Sequence, residues 1–244
     1  MIKFENVSVT YPGGVEALKD LNLEINDGDF IIIVGLSGAG KSTLLRTVNN
    51  LVKPSTGSVY LEGKNVTSAK KKELKKIRSQ IGMIFQTFNL VNRSTVLKNV
   101  LTGRLSNIST IRSILGLWPK DQKEMAFEAL NQVEILEKAY VRASNLSGGQ
   151  QQRVGIARAL SQKPKVMLAD EPVASLDPIT SRVVMSYLKK VNTELGITTI
   201  VNLHFLDLAK EFGDRLIGLR DGKLVFDGNV NDVSDKDFEN IYGL

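Results

Sequence analysis

The sequence contains no cysteine, so the chain has neither disulfide bonds nor thiolate metal sites. It also lacks an apolar run of the roughly 18 residues that a membrane-spanning helix needs. Its longest apolar run, FIIIVGL at positions 30–36, is far shorter, and the opening MIKFENVSVTYPGG has no apolar core of the kind a signal peptide carries. We therefore expect a chain that stays in the cytosol and does not cross a bilayer by itself.

Neither sign of charge dominates, since 32 lysines and arginines face 26 aspartates and glutamates for a net charge of +6. A balance of this size suits a nucleotide, a nucleic acid or an anionic membrane surface about equally, and it does not choose between them. The 244 residues, 42% of them hydrophobic, suffice for one large α/β domain or for a core domain with one inserted lobe.

The order of predicted elements indicates an α/β fold. Residues 2–35 favour β-structure, and residues 42–50 switch to helical spacing. From Phe88 to about Leu160 the pattern is mostly helical, which we interpret as an inserted lobe. The alternation of strands and helices then returns at VMLAD, and Asp177 before a proline predicts a helix start because its carboxylate can cap free N–H groups. Strands separated by helices predict a mostly parallel sheet covered on both faces.

One loop matches the pattern G-x-x-x-x-G-K-[ST] and lies between a predicted strand and a predicted helix. Glycines in such a loop let backbone N–H groups curl around phosphates, and the helix N-terminus adds partial positive charge. Lys41 is expected to reach the β- and γ-phosphates, and the Ser42 hydroxyl to bind Mg²⁺. The predicted nucleotide-binding residues of this loop are Gly35, Leu36, Ser37, Gly38, Ala39, Gly40, Lys41, Ser42 and Thr43. The alternative, a glycine turn without function, does not explain the strand and helix on either side.

Two acidic residues, Asp170 and Glu171, end the predicted strand VMLAD at its carboxyl edge, where ligands of parallel sheets bind. Asp170 is expected to hold Mg²⁺ through water, and Glu171 to accept a proton from an attacking water. By themselves two such carboxylates would be solvated loop charges. Beside a phosphate loop, they favour hydrolysis of a nucleoside triphosphate.

The segment LSGGQQQR at positions 146–153 resembles the signature sequence of ABC ATPases, although SGGQ alone would be a common cap and turn. Further positions resemble the family's adenine-stacking aromatic residue, its Q-loop glutamine, its D-loop and its switch histidine: Tyr11, Gln86, residues 175–177 and His204. Taken singly, Tyr11 could pack on the sheet, Gln86 could be an ordinary polar residue, and His204 could be a packed surface residue. The shared order of these motifs favours the family's roles.

The resemblance covers nearly the whole chain and implies a P-loop NTPase (ABC ATPase) core with a mostly parallel sheet, an N-terminal antiparallel β subdomain and an inserted helical subdomain. It implies a single nucleotide-binding domain over residues 1–244. Within it, the core and β subdomain take 1–87 and 161–228, the helical subdomain about 88–160, and a C-terminal helical tail 229–244.

The family likeness also implies that two copies meet head to tail, with ATP and Mg²⁺ between them. Each phosphate loop would then face the signature residues of the other copy: Ser147, Gly148, Gly149 and Gln150. It assigns Glu171 as base or water-orienting group, and Lys41 and His204 to the γ-phosphate. The implied Mg²⁺ ligands are Ser42, Gln86 and Asp170.

Several longer segments, including the stretch from NVLTGRL to FEAL, resemble the ATPase subunit of phosphonate importers. That likeness implies membrane permease subunits and a solute-binding protein as partners, at the cytoplasmic face of the membrane, with no nucleic acid. Residues 103–119, with apolar Ile114, Leu117 and Trp118, would either pack on themselves or form a groove for a permease helix.

Other functions stay open at this stage. An importer for amino acids or another small anion would share all the catalytic motifs. A non-transport ABC ATPase would be expected to show coiled-coil inserts or tandem motor domains, and a small-molecule kinase leaves LSGGQ unexplained. The basic run at 70–76 is typical of a solvated helix face, with lipid or nucleic-acid contact as the alternatives.

Overall fold

The computed structural model describes residues 1–204 and 206–243. The strands of this part of the chain are β1 (Ile2–Thr10), β2 (Glu16–Ile25), β3 (Phe30–Val34), β4 (Thr56–Leu61), β5 (Lys64–Asn65), β6 (Ile81–Phe85), β7 (Val166–Asp170), β8 (Thr198–Asn202), β9 (Arg215–Arg220) and β10 (Lys223–Asn229). The α-helices are α1 (Lys41–Val48), α2 (Lys71–Arg78), α3 (Val96–Leu101), α4 (Thr110–Ile114), α5 (Lys120–Gln132), α6 (Gly148–Leu160), α7 (Pro178–Leu195), α8 (Leu206–Phe212) and α9 (Asp235–Tyr242).

The larger sheet has six strands in the order β10-β9-β3-β8-β7-β6. Its strands run parallel except for β10, which pairs with β9 as an antiparallel edge. Every residue of β3, β7 and β8 is buried, because one face of the sheet is covered by helices and the other by α1 together with the antiparallel sheet described below. This confirms the mostly parallel sheet that the sequence predicts.

A second, four-stranded sheet is antiparallel and has the order β2-β1-β4-β5. Side chains of β3 alternate between two hydrophobic cores, as the two-residue period of a strand requires. Phe30, Ile32 and Val34 join the core that includes the helices between β6 and β7. Ile31 and Ile33 join the core shared with the antiparallel sheet and α1. The predicted N-terminal antiparallel β structure is therefore present.

The segment between β6 and β7 carries the helices α3 to α6 and a 3₁₀ turn at Thr102–Asn107. The helical pattern predicted from the sequence is thus present, interrupted by turns at 86–94 and 133–147. None of the helices in the described ranges is long and apolar enough to cross a membrane.

One local prediction for the second half of the chain is confirmed. Asp177 caps α7, since its carboxylate accepts from the N–H groups of Ile179 and Thr180 at 3.1 and 3.0 Å, with Pro178 at the first position. The C-terminal helix α9 docks through Ile241, which is fully buried.

Candidate functional site

The loop between β3 and α1 is a tight glycine loop. Gly35, Gly38 and Gly40 have φ values of +148°, +84° and +102°. A Cβ atom at Gly35 would lie 2.2 Å from the carbonyl oxygen of Leu219, and one at Gly40 would lie 2.4 Å from that of Ala17. Glycine is therefore required at these two positions, because any side chain would push the loop away from its neighbours.

Lys41 folds back into this loop. It is only 4% exposed, and its Nζ donates to the carbonyl oxygens of Gly35 at 2.8 Å and Leu36 at 3.0 Å. Burial lowers the pKa of Lys41, and the nearby carboxylates of Glu171 and Asp170 act in the opposite direction. The ammonium group is partly desolvated and held only by carbonyl dipoles, so an anion in the loop would give it a full counter-charge.

Asp170 is the most heavily bonded side chain of the site. Its Oδ1 accepts from the Ser42 hydroxyl at 2.7 Å and from Asn202 Nδ2 at 3.0 Å. Its Oδ2 accepts from Arg46 Nε and Nη2 at 3.1 and 2.9 Å, a two-point ion pair. The register of β7 with β8 places Asp170 opposite Asn202. The carboxylate is 4% exposed and therefore fixed in position.

The oxygen atoms around Asp170 suit Mg²⁺, which prefers hard oxygen ligands and usually keeps several waters. The Ser42 hydroxyl and the Asp170 carboxylate are in direct contact. Within the described residues, the fully buried Asn202 Oδ1 has no hydrogen-bond partner, so it can accept from a water bound to the ion. Gln86, the third predicted ligand, lies exposed in the turn after β6, and none of the described side-chain hydrogen bonds joins it to Ser42 or Asp170.

Glu171 and His204 form a pair beside this centre, with His204 Nε2 2.6 Å from Glu171 Oε1. Glu171 has a φ of +51°, in the left-handed region, which costs a non-glycine residue about 1–3 kcal/mol. The sequence-predicted base and switch histidine are thus brought together, over 33 residues of chain.

Tyr11 lies beside α1, with its hydroxyl 3.1 Å from Thr43 Oγ1. Tyr11 belongs to the turn after β1 and is 37% exposed. The structure therefore places Tyr11 next to the phosphate loop, where an adenine-stacking residue is expected.

The signature residues form the N-terminus of α6. Ser147 caps this helix: its Oγ accepts from Gln150 N at 3.4 Å, and its own N–H donates to Gln150 Oε1 at 3.0 Å. A Cβ at Gly149 would lie 2.2 Å from Thr180 Cγ2, so any side chain there would force Thr180 on α7 to move. Ser147 itself is exposed. In the described ranges, none of the hydrogen bonds links these residues to the phosphate loop.

Arg46 and Asn202 are site residues that the sequence analysis missed. Arg46 lies one helical turn after Ser42 on α1, so the sequence predicts only that the two residues share one face of the helix. Asn202 is a polar residue at the end of the apolar strand TTIVN, which is a weaker signal. Both hold Asp170, and neither role could be inferred without knowing which strands pair.

Comparison with known proteins places this geometry in a family. The family model described as "ABC transporter" matches residues 18–174, more than half of the chain. The "Phosphonates import ATP-binding protein PhnC 3" of Halalkalibacterium halodurans is 57% identical over 100% of this chain and 94% of its own length. A protein of the same type from Bacillus thuringiensis is 58% identical over 100% of this chain and 95% of its own.

Solved structures agree. A dimeric ATP-binding cassette in a post-hydrolysis state, bound to ADP and Pi, is 38% identical, with a TM-score of 0.82 over 94% of this chain and 99% of that one. An ATP-binding cassette of an ABC transporter in its ADP conformation is 29% identical, with a TM-score of 0.86 over 99% of this chain and 97% of that one. The resemblance carried by LSGGQ and the surrounding motifs is confirmed, as is the predicted fold class. The chain therefore belongs to the ABC transporter family.

Proposed function

We propose that the chain is the ATP-binding and ATP-hydrolysing subunit of an importer for phosphonates or related organophosphorus anions. The two relatives described above, alike over almost the full length, are named for phosphonate import. The observation that carries the ATPase part is the cluster at the phosphate loop, where Lys41, Ser42 and Asp170 converge. The phosphate-loop cluster supports ATP hydrolysis whatever the transported solute, and the likeness to the two relatives supports phosphonates as that solute.

The phosphate loop supplies the binding site for the triphosphate. Lys41 Nζ exchanges its two carbonyl acceptors for β- and γ-phosphate oxygens, which also removes the cost of its burial. Tyr11, which is partly exposed beside the loop, stacks on the adenine ring. Ser42, Gln86 and Asp170 would hold Mg²⁺, Asp170 through water, with Arg46 and Asn202 fixing the Asp170 carboxylate. When bound, the ion neutralises charge on the phosphates.

Glu171 and His204 carry the hydrolytic step. Glu171 orients the attacking water and accepts its proton, while His204, held 2.6 Å from it, contacts the γ-phosphate. The position of His204 therefore depends on Glu171, the same carboxylate that orients the water. Catalysis in phosphoryl transfer is mostly positioning and charge stabilisation, so a rigid pair of this kind suits the reaction.

The second half of each site comes from another copy of the chain. Ser147 and the free N–H groups at the start of α6 present partial positive charge to solvent, and in the dimer they face the γ-phosphate bound by the partner. The association is isologous, with two equivalent composite sites. A related cassette is described as a dimer with ADP and Pi, which supports this arrangement. Loss of γ-phosphate removes the bridging contacts and opens the dimer.

The helical subdomain, about 88–160, is proposed to receive the permease at the cytoplasmic face of the membrane. Ile111, Ile114 and Leu117 are 72%, 79% and 59% exposed, whereas Trp118 packs partly against the core. This apolar surface beside Trp118 supports docking of a permease helix. Crosslinks from positions next to Trp118 to a co-expressed permease are the direct check, and their absence under conditions where the complex is active would remove this surface from the interface.

Transport specificity is tested with the reconstituted complex of this chain, its permease and its solute-binding protein. A phosphonate presented with the binding protein should stimulate ATP hydrolysis, and a complex carrying Glu171→Gln should stay inactive. Stimulation by an amino acid or another small anion instead of phosphonates would replace the phosphonate assignment with that of a different small-solute importer.

A further inference from the structure

Arg158 on α6 binds the chain segment that directly follows Gln86. Its Nη1 donates to the carbonyl oxygen of Asn89 at 2.5 Å, and its Nη2 donates to that of Phe88 at 2.9 Å. The planar guanidinium group thus spans two successive carbonyl groups, a task that fits its fixed fork of donors. No other residue of the described chain binds both of these carbonyl oxygens.

The segment held in this way has an uncommon backbone. Phe88 and Asn89 both lie in the left-handed region, with φ values of +55° and +50°. Residues other than glycine seldom adopt this backbone conformation. Two such residues in succession persist only when their surroundings hold them. Arg158 supplies that restraint from the neighbouring helix.

The same segment also contacts the signature end of α6. A Cβ at Gly148 would lie 3.7 Å from Cζ of the Phe88 ring, and one at Gly155 would lie 4.0 Å from the Phe88 carbonyl oxygen. Phe88 therefore lies along α6 from the first residue of the helix to Arg158. A shift of the segment that contains Gln86 must be transmitted to this helix.

Arg158 has no ion-pair partner among the described residues, and burial lowers the pKa of its guanidinium group. Arginine still stays charged at ordinary pH. The half-buried guanidinium group donates to backbone carbonyl oxygens and forms no salt bridge with the described residues. Its contribution is therefore to fix the position of the segment that it binds.

We propose that Arg158 is a positioning residue that makes Gln86 and the signature residues of the same chain move as one unit. The inference rests on the proposed function, in which Gln86 serves the ATP bound to its own chain while Ser147 serves the ATP bound to the partner. Arg158 then links the two ATP sites of the dimer mechanically.

The test compares Arg158→Lys with a matched arginine of the same helix. Lysine keeps the charge but cannot span the two carbonyl groups with a planar fork. Arg153 is the control, because its Nη1 also donates to two successive carbonyl oxygens, those of Val133 and Glu134, away from the Gln86 segment. Each variant is measured for ATP affinity, for ATPase rate against ATP and Mg²⁺ concentration, and for thermal stability.

Arg158→Lys should lower kcat about fivefold, raise the half-activating Mg²⁺ concentration about threefold and reduce the Hill coefficient for ATP toward 1, with ATP affinity of the isolated chain unchanged. In a Gln86→Ala background it should cause no further loss, whereas Arg153→Lys should add its own effect. Additive losses for Arg158→Lys, or a profile identical to that of Arg153→Lys, would overturn the inference. A wild-type chain without any ATPase activity would instead overturn the proposed function.

A second measurement needs no substitution and stays informative if the variant folds poorly. Hydrogen exchange of backbone amides is followed in the wild-type chain as ATP and Mg²⁺ are titrated. Protection at residues 86–91 and at 147–152 should change with the same midpoint if Arg158 couples them. Distinct midpoints for the two segments would overturn the coupling.

Discussion

The phosphate loop and the signature segment are both built on helix N-termini, but they differ in how complete they are within one chain. Lys41 and Asp170 are each 4% exposed and bonded to neighbours in the same chain. Ser147 is exposed, and its side chain is satisfied only by its own helix. The first region is thus already bonded within one chain, and in the proposed dimer the second gains its function when another chain supplies the nucleotide.

The largest effect on ATP turnover is expected from a substitution at Glu171. Glu171→Gln keeps the size of the side chain but removes its ability to take a proton, so turnover should fall about 10³-fold while ATP still binds. Steady-state phosphate release measures the rate. Glu211→Gln, in an exposed pair with Arg182, is the control and should turn over normally. Wild-type turnover by Glu171→Gln would remove Glu171 from the catalytic step.

Lys41→Ala tests whether the phosphate loop of a single chain is sufficient to bind ATP. Because Lys41 is already aimed into the loop, its removal should weaken ATP binding by the isolated chain about 100-fold. Calorimetry measures the ATP affinity. Lys165→Ala, just before the amino end of β7, is the control. Unchanged ATP affinity would contradict the role of Lys41.

The signature region should respond in the opposite way. Ser147→Ala removes the helix cap and the hydroxyl offered to the partner's nucleotide, so kcat should fall about tenfold. ATP affinity of the isolated chain should stay the same, because nothing links Ser147 to its own phosphate loop among the described hydrogen bonds. Ser144→Ala is the matched control for both assays, because Ser144 is exposed and its hydroxyl bonds only Asn145 among the described side-chain hydrogen bonds. A loss of affinity in the isolated chain would erase the contrast between the two regions.

The smallest effect concerns Asp177, whose cap holds α7 against the signature glycines. Hydrogen bonds from the Thr180 side chain and from backbone N–H groups hold the pKa of Asp177 below its ordinary 3.8. A lowered folded-state pKa gives stability that is present above 3.8 and is lost as the pH falls through the folded-state value. Asp177→Asn should therefore lower the melting temperature by a few degrees near pH 7 and by less near pH 3.

Differential scanning calorimetry at the two pH values checks this, with exposed Asp232→Asn as the control. A difference between wild type and Asp177→Asn that grows as the pH falls would contradict the sign of the shift.

The sequence predicted those parts of the site that are encoded in short contiguous patterns. The loop glycines, Lys41 and Ser42 sit together because strand, turn and helix follow each other directly, and Asp170 and Glu171 mark the end of a buried strand. Arg46 and Asn202 could not be assigned in this way. Their bonds to Asp170 depend on the pairing of β7 with β8 and on the rotation of α1, across 124 and 32 residues of chain.

The fold was predictable to a similar degree. The buried strand β3 is a continuous apolar run, and the Asp177 cap is a local signal. The antiparallel edge formed by β9 and β10 was not predicted. Polar and apolar residues are mixed in this part of the sequence, and the strands are recognised only from their pairing. The close approach of Gly149 to Thr180 is likewise a tertiary contact with no sequence signal beyond the glycine itself.

In the proposed dimer, one chain's phosphate loop and another chain's signature residues close on the same ATP. Sedimentation of the Glu171→Gln variant with ATP and Mg²⁺ is the decisive measurement, because hydrolysis can no longer open the complex. We expect a species with twice the mass of one chain that returns to monomer when ATP is replaced by ADP. A variant that stays monomeric with saturating ATP, in solution and on its permease, would contradict it.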